Sequence, residues 1–379
     1  MKLIMARHVL KAIYMVVPAH VYTGGPTALF QLCHYLNKHF GIDARIAFIN
    51  IREEGNPIHP CYKKFECQWL PLKKVKDDPG NIIIFPETLT NLVDKFRFSK
   101  KVIYWLAVDN FFLSRYPTSK ISKFLFLVRT FPNILRFLYI PDKRILLWND
   151  YKQYIAYDEI VNVMENGALQ EFLSKIDLHI AQSIYARNFL IKLGVDKERI
   201  PILREPLEEE FLNAKINYDK KEDIVAFNAR KAFSIVDRML SKLKKRNKTL
   251  RIIPLMNVGK EGMIKTLGKS KVFVDIGLHP GRDRPPREAA VLGNIVIVNR
   301  RGGCYFFEDC PIPGEYKIYC RDLACRDLNI NNTVNLIEDC LENYHQHINK
   351  FQEFREYVKN EVNLYLKDLE NLLALIEEL

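Results

Sequence analysis

Short apolar runs alternate with helix-length amphipathic stretches along most of the 379 residues. In the first half the runs Ala12–Pro18 (AIYMVVP), Ala44–Asn50, Asn81–Glu87, Lys101–Val108, Ile145–Trp148 and Leu178–Ser183 read as buried strands. Between them TALFQLCHYLNKHF spaces its apolar residues as a helix does, and YARNFLIKLG ends on Gly194, a residue type that commonly closes helices. Such alternation predicts parallel sheets with helices on both faces. From Leu212 the pattern lapses into NAKINYDKKED, polar and without an apolar face, which predicts a linker. It then restarts with strands at Ile224–Arg230, Leu250–Met256, Lys271–Gly277 and Asn294–Asn299 and helices between them. Two more amphipathic patterns, TVNLIEDCLENYHQHINKF and VNLYLKDLENLLALIEEL, fill the tail.

The expected fold is therefore α/β, with two Rossmann-like doubly wound domains facing a cleft. Residues 1–212 would form the first and 213–355 the second, and a helix over 356–379 would pack back on the first. In open α/β sheets ligands bind beyond the carboxyl ends of the strands, so chemistry is sought there.

Charge narrows the partners. A formal net charge of +12 favours anions: nucleic acid, a phosphorylated ligand or an acidic membrane face. No nucleic-acid motif is present and the charge is spread over both halves, so nucleic acid is not an expected partner. The segment Asn110–Arg144 interleaves aromatics with seven basic residues and one acid, Asp142. It suits either a face lying on an anionic membrane or a buried helix whose basic side chains snorkel to solvent. The eight cysteines form no CxxC pair, which argues for reduced thiols and against a structural metal. The apolar run behind Lys2, Arg7 and Lys11 is short for an export signal and serves better as a strand. No run approaches the ~20 apolar residues of a membrane span. The expected location is cytoplasmic, at most peripheral on the inner face of a membrane.

Two stretches carry candidate chemistry. Gly24-Gly25 follows a strand and precedes Pro26, a residue favoured in the first turn of a helix. Backbone N–H groups at such a start suit an anionic or polyhydroxyl ligand, although two glycines also make an ordinary turn. The second stretch is DIGLHPGRDRPPREAAVLGNIVIVNRRGG, Asp275 to Gly303. Here Glu288 suits two ribose hydroxyls, and Arg282, Arg284 and Arg287 suit a diphosphate, the plain alternative being a solvated basic loop. Arg230-Lys231 adds a cationic pair at another strand end of the same domain. The convergence of Arg230-Lys231, Glu288 and Gly302-Gly303 favours a nucleoside-diphosphate site. A nicotinamide site is disfavoured because G-x-G-x-x-G is absent.

With YTGGPTALFQLCHYL, DLHIAQSIYARNFLIKLGVDKERIPIL, FNARK and HPGRDRPPREAAVLGNIVIVNRRGG in this order, the chain resembles the two-Rossmann-domain GT-B glycosyltransferases, in particular the retaining family 4. The resemblance implies a hexosyltransferase-like enzyme that moves a sugar from a nucleoside-diphosphate donor to a glycan or lipid-linked acceptor, in polysaccharide biosynthesis, with no metal and no other cofactor. It places donor contacts on Gly24, Gly25, Arg230, Lys231 and Glu288, to which the reading of the residues adds His279, Arg282, Asp283, Gly302 and Gly303. The family's first glutamate is replaced by Pro280, with His279 or Asp283 as substitutes, and REPLEEEF departs from the family's usual turn. An inverting reaction would need a base in the first domain, for which His20, Asp109 and Glu87 are candidates. The alternative is a catalytically silent nucleotide-sugar or glycan-binding module on the same fold.

Overall fold

The computed structural model describes residues 10–51, 56–115, 167–229, 231, 233–277, 279–319 and 328–379. The expected strand Ile145–Trp148, most of Asn110–Arg144, and Arg230 lie outside these residues. The chain divides into two units. The first takes the described residues up to Arg115, those from Gly167 to Glu205, and Asn363–Leu379; the second takes those from Pro206 to Val362.

In the first unit six parallel strands, β1 (Ala12–Pro18), β2 (Ala44–Ile49), β3 (Trp69–Pro71), β4 (Asn81–Pro86), β5 (Lys100–Trp105) and β6 (Leu178–Ala181), lie in the order β3-β2-β1-β4-β5-β6. Chain direction along the sheet reverses between β1 and β4, which opens a crevice at their carboxyl ends. Ile13, Met15 and Val17 of β1 are buried together with Leu29, Phe30, Leu32 and Leu36 of helix α1 (Gly24–Phe40). Burial on both faces explains why β1 and β4 read as unbroken apolar runs. α1 ends at Gly41, whose φ of 64° is the left-handed cap that glycine adopts without strain. Helices α2 (Val108–Arg115), α3 (Gly167–Ser174) and α4 (Ile184–Lys192) complete the crossovers described.

The second unit has β7 (Glu222–Asn228), β8 (Arg251–Leu255), β9 (Ser270–Asp275), β10 (Ile295–Asn299) and β11 (Lys317–Ile318), ordered β11-β10-β9-β7-β8 and parallel throughout. Its reversal falls between β7 and β9. Helices α5 (Phe233–Arg246), α6 (Gly259–Lys269), α7 (Arg284–Val291), α8 (Ile330–Glu342), α9 (Tyr344–Asn349) and α10 (Gln352–Lys359) surround this sheet.

Two boundaries differ from expectation. The polar stretch after Leu212 is not a linker: Ile216 and Tyr218 pack against the core of the second unit. Within the same stretch the Lys221 ammonium is buried among three backbone carbonyls, those of Leu267 (2.7 Å), Ser270 (3.0 Å) and Leu292. A few anchoring side chains therefore fix a segment too polar to show a periodic apolar face, and the division falls at Glu205/Pro206. The helix expected over 356–379 is also two. α10 keeps Phe354 and Val358 in the second core, whereas α11 (Glu361–Ile376) sends Tyr365, Leu369, Leu372 and Ile376 into the first. Arg204 and Asp368 pair at 3.1 Å beside this stripe.

Candidate functional site

Each sheet places a cluster of polar side chains at its own switch point. In the first unit the chain leaves β1 through His20, which holds a left-handed φ of 63°. The His20 N–H donates to the Pro57 carbonyl at 3.0 Å, and its buried Nε2 meets no partner among the described residues. Gly24 and Gly25 are the first residues of α1 and are preceded by Thr23, whose side chain makes no capping hydrogen bond. A methyl group at Gly24 would meet nothing within 4 Å, and one at Gly25 would reach only Leu106 Cδ1 at 3.5 Å. These two glycines are thus not demanded by packing. The Tyr62 hydroxyl, which the sequence reading missed, donates to the Thr23 carbonyl at 3.1 Å, and the Tyr22 and His59 rings stack 5.1 Å apart. Nothing in PCYKKF signals that contact, because it is made across 39 residues.

At the neighbouring strand ends stand Glu87 and Asp109. Glu87 follows β4, is buried, and accepts the Leu106 N–H at 3.1 Å. Burial outweighs the backbone donors and pushes its carboxyl up to about 8. Asp109 lies in the first turn of α2, buried, with the Tyr185 hydroxyl 3.4 Å from Oδ1. The sheet order brings His20, Gly24, Gly25 and Glu87 to one crevice edge and adds Asp109 at the end of β5.

In the second unit Lys231 leaves β7 and meets the loop after β9. Its ammonium bonds the Asp283 carboxylate and lies 3.8 Å from that of Asp275, which also accepts Asn228 Nδ2 at 3.0 Å. His279 bridges the same group, with Nδ1 2.8 Å from Asp283 and Nε2 3.2 Å from the Asp275 carbonyl. Burial opposes both charges of the central pair. Asp275 and Asp283 nevertheless hold the lysine above its ordinary range, and Lys231 with His279 holds Asp283 down to about 2. Asp275, His279 and Asp283 have ligand atoms within 4.8 Å of one another, a donor set that suits a divalent cation. The Lys231 ammonium already rests on that set and supplies the positive charge it calls for.

Two groups of expected site residues have contacts within the unit. Arg282 and Arg287 are both buried and bond Glu361, at 2.5 and 2.8 Å. Two of the arginines that make this loop read as basic share one carboxylate, 79 and 74 residues away. Gly302 and Gly303 are closely packed. Gly302 has a φ of +53°, and a Cβ on either residue would collide with the His279 or Gly281 carbonyl. Together with the Gly303 N–H, which donates to the His279 carbonyl at 2.7 Å, they clamp the loop that carries Asp283. Gly277, unnoticed in the sequence, has the same role, since a Cβ there would overlap Lys231.

Glu288 sits in α7, nearly buried, and no hydrogen bond among the described residues reaches its carboxylate. Burial raises its proton affinity to about 7. Arg284, Arg287 and Lys260 oppose the rise and Glu208 adds to it. Its oxygens are not sealed from solvent, so the hydroxyl donors of a ligand can reach them.

The two parallel-sheet units have the fold of one class, the two-Rossmann-domain architecture called GT-B. Among solved structures the chain is similar to Anabaena HepE in complex with UDP-glucose, at 11% identity and a TM-score of 0.60, over 96% of this chain and 99% of that one. It is likewise similar to the sucrose-phosphate synthase of Thermosynechococcus elongatus (11%, TM-score 0.59, 96% and 99% covered) and to the lipopolysaccharide outer core galactosyltransferase WaaB (11%, TM-score 0.54, 97% and 100% covered). No family model and no curated protein matches the sequence. Among the described residues no helix is long and apolar enough to cross a membrane.

Proposed function

We propose that the chain is a glycosyltransferase that moves a sugar from a nucleoside diphosphate to a hydroxyl of a glycan or glycolipid acceptor. The observation that carries this reading is the second switch point, where a partly buried cation, Lys231, follows β7 and a carboxylate to which no described residue donates, Glu288, sits in α7. A diphosphate suits the cation, and the two hydroxyls of a ribose suit the carboxylate. The solved relatives in complex with UDP-glucose or UDP support a UDP-sugar as donor.

As the bond between sugar and diphosphate breaks, negative charge grows on the leaving phosphate. Lys231 stabilises that charge by exchanging Asp283 for phosphate oxygens, which makes a metal unnecessary. His279 would hold Asp283 as the lysine leaves. Pro280 in place of a glutamate removes one sugar contact of retaining enzymes, and His279 or Asp283 is the proposed substitute. In the first unit His20 and Asp109 are the groups nearest in kind to an acceptor base, and Gly24 and Gly25 leave room for the acceptor. A polysaccharide or lipid-linked acceptor at an anionic membrane surface agrees with the chain's positive charge.

The deciding experiment is a thermal-shift screen of UDP, GDP, ADP, CMP and their sugars against wild type and Glu288→Ala. A bound donor raises the melting temperature by mass action. No shift with any nucleotide ends the donor reading. A shift that survives Glu288→Ala removes the ribose contact. Absence of both transfer and slow donor hydrolysis, with binding intact, favours the silent module.

A further inference from the structure

Arg282 and Arg287 belong to the loop that carries Asp283 and leads into Glu288, yet both converge on a residue far along the chain. Glu361 is fully buried at the start of α11. Its Oε1 accepts Arg282 Nη2 at 2.5 Å, and its Oε2 accepts Arg287 Nη1 at 2.8 Å and the Leu207 N–H at 3.2 Å. The Tyr357 hydroxyl lies 3.1 Å from Arg282 Nη2, and the guanidinium sits 5.5 Å from that ring. Arg287 also donates back to the Arg282 carbonyl (3.1 Å) and the Asp283 carbonyl (3.3 Å), so the cluster grips the loop's backbone as well as its side chains.

Glu288 adjoins one of the segments that Glu361 ties and feels the charge on the other. On one side Arg287 is its chain neighbour. On the other, Glu208 follows Leu207 directly and raises the proton affinity of Glu288, while Lys260 holds both Glu208 and Glu210 at 2.7 Å. Buried ion clusters rarely add stability beyond what apolar side chains of similar volume would give. What they provide is direction, because each hydrogen bond fixes an angle as well as a distance.

We propose that Glu361 is a positioning residue of the donor site: it sets the loop of Asp283 and the approach of Glu208 so that Lys231 and Glu288 are presented together. The inference rests on the nucleotide-sugar reading for the meaning of that presentation, but its structural content is separate and is measured separately.

The test compares wild type with Glu361→Gln and Glu361→Asp by amide hydrogen exchange over residues 279–288 without nucleotide, and by UDP titration calorimetry well below the melting temperature. Glu361→Gln is expected to keep the circular dichroism of the wild type and the protection of β7 and β9. It should raise exchange over 279–288 at least tenfold and weaken UDP at least tenfold, with a shifted pH midpoint of binding; Glu361→Asp, which keeps the charge, should fall between. A folded Glu361→Gln protein with exchange and UDP affinity both within twofold of wild type overturns the proposal. If Glu361→Gln does not fold, Arg282→Met, which leaves Arg287 on the carboxylate, takes the same measurements with the same criteria. If exchange rises but no protein binds any nucleoside diphosphate, the donor reading falls and the positioning of the loop by Glu361 stands.

Discussion

The ammonium of Lys231 rests on the carboxylate of Asp283, joining the exit of β7 to the loop after β9 across 52 residues of sequence. Removing the lysine leaves the buried Asp275 and the partly buried Asp283 without their cation. Lys231→Met should therefore destabilise the protein by about 3 kcal/mol, the cost of breaking a buried pair from one side. Nucleotide affinity of the fraction still folded should drop about tenfold or more, because hydrogen bonds to charged groups contribute roughly 1.5–3 kcal/mol. Chemical denaturation and calorimetry on the same sample separate the two effects. Unchanged affinity would remove Lys231 from the donor site.

Glu87 makes stability depend on pH. Its proton affinity rises from the ordinary 4.5 to about 8 on folding, so the folded state holds a proton that the unfolded chain has released. That contribution is complete below about pH 4.5 and is lost as pH rises through 8. Glu87→Gln should flatten the slope between these values and leave the variant more stable than wild type at pH 8, by on the order of 4 kcal/mol at most. Parallel melting curves from pH 5 to 8.5 check this. Equal slopes in the two proteins would mean that Glu87 is ionised in the fold.

Glu288 should impose the opposite trend on ligand binding. Only the ionised carboxylate accepts two hydroxyl donors, and it ionises near 7. UDP affinity should strengthen as pH rises from 6 to 8, by up to about tenfold if one proton is released. Glu288→Gln, a weaker acceptor, should lose the pH dependence along with most of the affinity. Titration calorimetry at three pH values measures both.

The glycine pairs predict a contrast. Gly302→Ala combines a left-handed backbone with a collision against the His279 carbonyl and should cost about 2–4 kcal/mol. Gly24→Ala meets open space and should change stability by less than about 0.5 kcal/mol. If the turn before α1 receives a ligand, Gly24→Ala and the bulkier Gly25→Val should instead lower turnover. Melting temperatures and transfer rates of the three variants test the contrast. A stable Gly302→Ala protein would show that the loop yields.

Much of this organisation is legible in the residues. Strands such as Ala12–Pro18 and Asn294–Asn299 stand out because burial on both faces demands an unbroken apolar run. Lys231 stands out because charged residues at strand ends of a doubly wound sheet lie where ligands bind, and Glu288 because it is an acid in the first turns of the helix that follows such an end. β3 and β11 escape notice, being three and two residues long. The roles of Arg282 and Arg287 are hidden for another reason: their partner Glu361 lies 79 and 74 residues away, and local composition cannot tell a paired guanidinium from a solvated one. Lys221 is similar, since its three carbonyl partners belong to backbone that any sequence would supply.

α11 begins in the second unit and places Tyr365, Leu369, Leu372 and Ile376 in the core of the first. In order of synthesis this inverts the usual sequence, in which the N-terminal unit folds first. The second unit has all of its described residues once Val362 has emerged, while the first still lacks one wall of its core. The earlier-made unit is therefore the later to close. A chain interrupted between the two events would leave the first core without Tyr365, Leu369, Leu372 and Ile376, and Tyr35 without the ring that packs on it, a state for chaperones to hold.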